Sequence, residues 1–167
     1  WFYNDLPKTF NPGRYDPEEW IVLAKLAGMK YVVFTTKHHS GFCMWDTKTT
    51  DFNIMNTPYG KDIVAEYVRA CRKHGLAVGF YFSPEDFWFL HQNNIMIARN
   101  TPEADPNGNE KYLAYLQVQI RELMTQYGKI DVVFFDGKGG ESLKPICWEI
   151  NRDLLVTRGA INTPEQT

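Results

Sequence analysis

No run in the 167-residue sequence approaches the roughly 18 apolar residues of a membrane-crossing helix. Excess charge is also missing. A formal net charge of −2 leaves no electrostatic footprint for nucleic acid or an anionic membrane as partner. Cysteine is scarce: Cys43, Cys71 and Cys147 are an odd number at wide spacing, which excludes a disulfide framework and a CxxC site and fits buried free thiols. No GxGxxG or GxxxxGKS/T turn follows an apolar run, which weakens any nucleotide-binding reading. HExxH and HxH metal motifs are absent as well. The opening Trp1-Phe2-Tyr3-Asn4-Asp5 lacks the basic-then-apolar order of a signal peptide, so the residues leave the compartment open.

Aromatic side chains are abundant, at 15% of residues, which suits a well-filled core or a surface for the flat apolar faces of sugars. Four apolar runs rich in β-branched and aromatic residues read as buried parallel strands: Met29 to Thr36, Ala77 to Ser83, Ile130 to Asp136 and Leu154 to Gly159. Helical patterns lie between them. Asp16-Pro17-Glu18-Glu19 is a strong helix start, with Trp20, Leu23, Ala24 and Ala27 predicted on its inner face. A second helix runs from about Asp62 to Gly75 with Ile63, Val64, Tyr67, Val68 and Cys71 inward. A third spans about Glu110 to Tyr127, and a short fourth, containing Pro145, about Ser142 to Ile150. Alternating βα units predict an α/β fold with a parallel sheet, either doubly wound or closed into a (β/α)8 barrel. The connections Lys37 to Lys61 and Pro84 to Asn109 are long and polar, as the loops at the C-terminal face of barrel enzymes are. A barrel needs eight strands and about 250 residues. Residues 1–167 therefore read as part of a catalytic barrel domain, four βα units with the first and last barrel elements outside the sequence.

Each strand ends in residues able to do chemistry. The first delivers Lys37-His38-His39, the second Tyr81 and Ser83 followed by Glu85, Asp86 and Trp88, the third Asp136-Gly137, the fourth Arg158. Parallel strands point their C-termini the same way, so these side chains converge on one face. A carboxylate directly after Val132-Val133-Phe134-Phe135 stands at the rim of a core, where charge is costly unless it is paired or functional. Position alone also allows Asp136 to cap the turn with Gly137. Asp131, at the other end of the strand, reads as structural. The adjacent imidazoles of His38 and His39 can donate to sugar hydroxyls or help ligate a metal, though a metal site needs three or four ligands.

Lys37-His38-His39-Ser40-Gly41-Phe42 with Trp45 resembles the KHHxGF…W signature of the α-L-fucosidases of glycoside hydrolase family 29. Gly79-Phe80-Tyr81-Phe82-Ser83 is similar to that family's GxYxS strand, and Phe134-Phe135-Asp136-Gly137 to its nucleophile strand, with Phe-Phe replacing the commoner Trp-Phe. Trp1 to Asn4, Phe10-Asn11-Pro12 and Asp16 to Trp20 resemble the segment joining its first two barrel strands. The likeness covers essentially the whole chain, with the motifs in the family's order. It implies a (β/α)8 barrel and retaining release of terminal α-L-fucose from a fucosylated glycan, with Asp136 as nucleophile. His38, His39, Tyr81, Arg158 and Trp1 would bind the fucosyl unit, and Trp45 would be a wall of the site or stand behind it. The acid/base comes from a variable loop: Glu165 by preference, Glu85 locally, or a glutamate beyond residue 167. No cofactor or metal is implied, and relatives are often periplasmic, secreted or lysosomal. Two rivals remain: a metal-dependent hydrolase using His38, His39 and Asp136, and a non-catalytic sugar-binding or degenerate barrel fragment.

Overall fold

The computed structural model describes residues 1–98 and 101–157. Helices α1 (Leu6–Thr9) and α2 (Pro17–Leu26) precede strand β1 (Tyr31–Lys37). Then come α3 (Ile63–His74), β2 (Ala77–Phe82), α4 (Phe87–Gln92), α5 (Glu110–Gln126), β3 (Val132–Phe135), α6 (Gly140–Ile150) and β4 (Leu155–Thr157). The four strands form one parallel sheet in the order β1-β2-β3-β4, so every helical crossover steps the same way. Strand pairing puts Phe34, Phe80, Val133 and Val156 in one row and Thr35, Tyr81, Phe134 and Thr157 in the next. Since side chains alternate, the rows face opposite sides. The first is covered by helices: Tyr67 of α3 stacks on Phe34 at 5.0 Å and bonds the Val32 carbonyl at 2.6 Å, and Tyr127 after α5 meets Phe80 edge-on at 6.1 Å. The second side stays open, leaving Tyr31, Val33 and Leu155 exposed.

The starts of α2 and α3 are capped by aspartate side chains. Asp16 accepts from the Glu18 and Glu19 amides at 3.0 and 3.2 Å ahead of Pro17, and Asp62 accepts from Ala65 at 2.8 Å. Gly75 closes α3 at φ +72°, a left-handed turn that favours glycine. The predicted inward residues of α3 are all buried. In α2 the predicted face holds only at Ala24, which is buried together with Ile21, while Trp20 and Leu23 are 51% and 58% exposed. That helix is apolar on most sides, and Trp20 is drawn outward to pack edge-on against Tyr15 at 5.2 Å. The connection after β2 is less irregular than expected, since Asp86 caps α4 within it by accepting from the Phe89 amide at 2.8 Å. Strand β4 begins one residue later than predicted, at Leu155, and its expected last residues lie outside the described ones. All three cysteines are buried and free, as predicted.

Candidate active site

The C-terminal edge of the sheet is aligned by backbone bonds that continue the ladder past the strands. The Ser83 amide donates to the Lys37 carbonyl at 3.0 Å, and the Asp136 amide to the Phe82 carbonyl at 3.1 Å. His38, Ser83 and Asp136 therefore start from the same level of the fold. A bulge between Thr35 and Lys37 re-aims the end of β1. In an unbroken strand Lys37 would share the open side with Thr35. The extra residue turns it to the helix side instead, as bulges re-aim side chains. Both Thr36 and Lys37 are fully buried.

The turned lysine enters a dry ion pair. Its Nζ lies 2.8 Å from Asp86 Oδ2 and 2.8 Å from Gln119 Oε1, and 4.5 Å above the Phe82 ring. Neither Lys37 nor Asp86 has an exposed side chain. Lys37 thus anchors the site from behind and does not project into its mouth as predicted. The loop passes so close to Asp86 that a Cβ on Gly41 would sit 2.2 Å from Oδ1, and Gly41 already needs φ +85°. Phe42 packs edge-on against Phe10 and Phe52 at 5.8 and 5.1 Å. The motif Lys37 to Phe42 therefore divides its labour: Lys37 and Gly41 lock the turn, Phe42 ties it to an aromatic cluster, and the two histidines face outward.

Those histidines meet the aspartate. One ring nitrogen each from His38 and His39 and a carboxylate oxygen of Asp136 lie within 4.8 Å of one another. The His38 ring stacks on Tyr81 at 5.7 Å and 4°, and Tyr81 stacks on Phe134 at 5.5 Å. The Tyr81 hydroxyl donates to Asp136 Oδ2 at 2.6 Å, a short charge-assisted bond that holds one carboxylate oxygen and orients the other. His39 Nδ1 lies 2.5 Å from the hydroxyl of Ser83, a fully buried residue. Glu85 lies alongside, its Cγ 3.0 Å from where a Cβ on Gly137 would stand. Asp131 is structural, accepting from the Val78 amide at 2.9 Å at the far end of the strand.

Four predicted site residues, His38, His39, Tyr81 and Asp136, thus come together. Trp45 does not join them and cannot wall a sugar site: it is fully buried, with its indole donating to Glu122 of α5 at 3.0 Å. Trp1 is 78% exposed, and its ring stacks on no other ring among the described residues. Arg158 and Glu165 lie outside the described residues. Two further features depend on contacts between segments far apart in the sequence. One is the Ser83 hydroxyl behind His39, and the other is an aromatic cluster in which Trp88 stacks on Phe52 at 4.7 Å and Tyr3 on His91 at 5.0 Å.

The α-L-fucosidase family profile matches residues 1–166. Alpha-L-fucosidase 1 of Arabidopsis thaliana is 35% identical over 141 residues, covering 83% of this chain and 25% of that protein. The tissue α-L-fucosidase of Homo sapiens is 31% identical over 137 residues, covering 81% and 28%. The chain therefore spans about a quarter of the length of these curated relatives. Among solved structures, α-L-fucosidase isoenzyme 1 of Paenibacillus thiaminolyticus superposes with a TM-score of 0.79 at 36% identity, over 93% of this chain and 40% of that one. A family 29 α-L-fucosidase of Bacteroides thetaiotaomicron, trapped as a covalent intermediate with 2-fluoro-fucosyl fluoride, gives 0.78 at 31%, over 92% and 36%. The order of the motifs, the sheet they lie on and the family profile agree: the chain belongs to the α-L-fucosidases of glycoside hydrolase family 29.

Proposed function

We propose that this chain carries the nucleophile and much of the sugar-binding wall of a retaining α-L-fucosidase. The four βα units belong to a (β/α)8 barrel whose other units come from the rest of the catalytic domain. Two features support the barrel: crossovers that all step one way, and a second sheet side left open, as a barrel interior would be. The observation that carries the function is the grouping of His38, His39 and Tyr81 around Asp136 at the strand ends.

In this reading Asp136 attacks the anomeric carbon of a terminal α-L-fucosyl unit of a glycan, and the bond to the leaving oxygen breaks as a covalent glycosyl-enzyme forms. Tyr81 keeps the carboxylate aimed. His38, His39, Arg158 and Trp1 hold the sugar, with bonds to the hydroxyls that tighten as the ring flattens. Glu165 protonates the leaving oxygen and then activates water, with Glu85 as the local alternative. The two carboxyl groups would stand about 5–5.5 Å apart. Removing the Asp136 carboxylate in the full-length polypeptide tests this. Asp136→Ala should still bind fucose but lose turnover of an aryl α-L-fucoside by about four orders of magnitude or more. Retained turnover would reject the nucleophile assignment. Loss of turnover on chelation would point instead to a metal held by His38, His39 and Asp136.

A further inference from the structure

The buried Ser83 hydroxyl has one proton, and its partners decide where that proton goes. Ser83 Oγ lies 2.8 Å from the Glu85 backbone carbonyl, a group that can only accept. The serine proton is therefore committed to Glu85. Toward His39 the same oxygen can offer only a lone pair, so the Nδ1 atom 2.5 Å away must carry a hydrogen. Flipping the ring would put a carbon there, well inside the roughly 3.3–3.6 Å of ordinary carbon–oxygen contacts. Serine and carbonyl are fixed by their elements: Ser83 follows β2 and is bonded through its amide to Lys37, and Glu85 precedes the Asp86 cap of α4.

We propose that Ser83 is a positioning residue that holds neutral His39 as its Nδ1–H tautomer and so leaves Nε2 as a hydrogen-bond acceptor. His39 would then accept a hydrogen bond from a sugar hydroxyl rather than donate one, which makes its subsite require an O–H donor. This deepens the fucosidase reading and rests on it for the identity of the ligand, though not for the tautomer itself.

The test uses the full-length enzyme labelled with 15N-histidine, the His39 signals being assigned by their loss in His39→Gln. Long-range proton–nitrogen correlations above the imidazole titration should give a protonated Nδ1 and an unprotonated Nε2. A protonated Nε2, alone or with Nδ1, overturns the proposal. Ser83→Ala should shift the ring toward the other tautomer and lower kcat/KM about tenfold, as loss of one oriented bond would. Ser83→Thr, which keeps the hydroxyl, should restore the native tautomer. An unchanged tautomer in Ser83→Ala also counts against the proposal. If the enzyme fails to cleave fucosides while His39 carries its proton on Nδ1, the functional reading falls and this assignment stands. If it cleaves them with Nε2 protonated, only this assignment falls.

Discussion

Breaking the pair between Lys37 and Asp86 should destabilise the protein far more than a surface ion pair would. Both side chains are fully buried at 2.8 Å, so neither charge can recover water when its partner is lost. Lys37→Met keeps the length of the side chain but strands the Asp86 carboxylate beside Gln119, at a cost of about 3–5 kcal/mol. Asp86→Leu strands the ammonium, at a similar cost, and also removes the α4 cap, worth about 1 kcal/mol. The double variant removes both charges together. It should lose only about 1–2 kcal/mol, mostly the cap, because an apolar pair can replace a buried ion pair nearly neutrally. Denaturant unfolding of the four proteins in the full-length context gives the coupling energy, expected to be several kcal/mol. Singles within about 1 kcal/mol of wild type, or effects additive within about 0.5 kcal/mol, would refute the dry anchor.

Other outcomes follow from the same geometry. Gly41→Ala should cost about 3 kcal/mol or more, through its positive φ and the clash with Asp86, measurable as a lowered unfolding midpoint. Tyr81→Phe should lower kcat/KM about 10–100-fold, the worth of one bond to a charged carboxylate, while leaving the melting temperature close to wild type. Burial raises the pKa of every thiol, that of Cys147 to about 12, so less thiolate exists at a given pH than for a free cysteine. A thiol reagent at pH 8 should therefore label Cys43, Cys71 and Cys147 only after unfolding. Labelling of the folded protein would contradict the packing.

The strands and the two best-capped helices were legible because their cues are local. Asp16-Pro17 and Asp62 announce their helices, and the runs ending at Phe82 and Phe135 are apolar enough to be read as buried on either side. Convergence of His38, His39, Tyr81 and Asp136 was legible too, since it follows from parallel strand direction. What stayed hidden depended on contacts far apart in sequence. Lys37 looks like a rim residue until the bulge at Thr36 turns it toward Asp86 and Gln119. Trp45 reads as a wall of the site or a residue behind it, and only its burial, with Glu122 of α5 accepting from its indole, excludes the wall. The inner face of α2 was misread because an apolar stretch such as Trp20-Ile21-Val22-Leu23 has no single dominant side. Helix α4 was missed for a related reason, since its six residues carry too little periodicity to stand out within a loop.

Covalent trapping tests the central claim most directly. The full-length enzyme, treated with 2-fluoro-fucosyl fluoride and digested, should carry one fucosyl label, and fragment masses should place it on Asp136. A label on any other carboxylate would contradict the account.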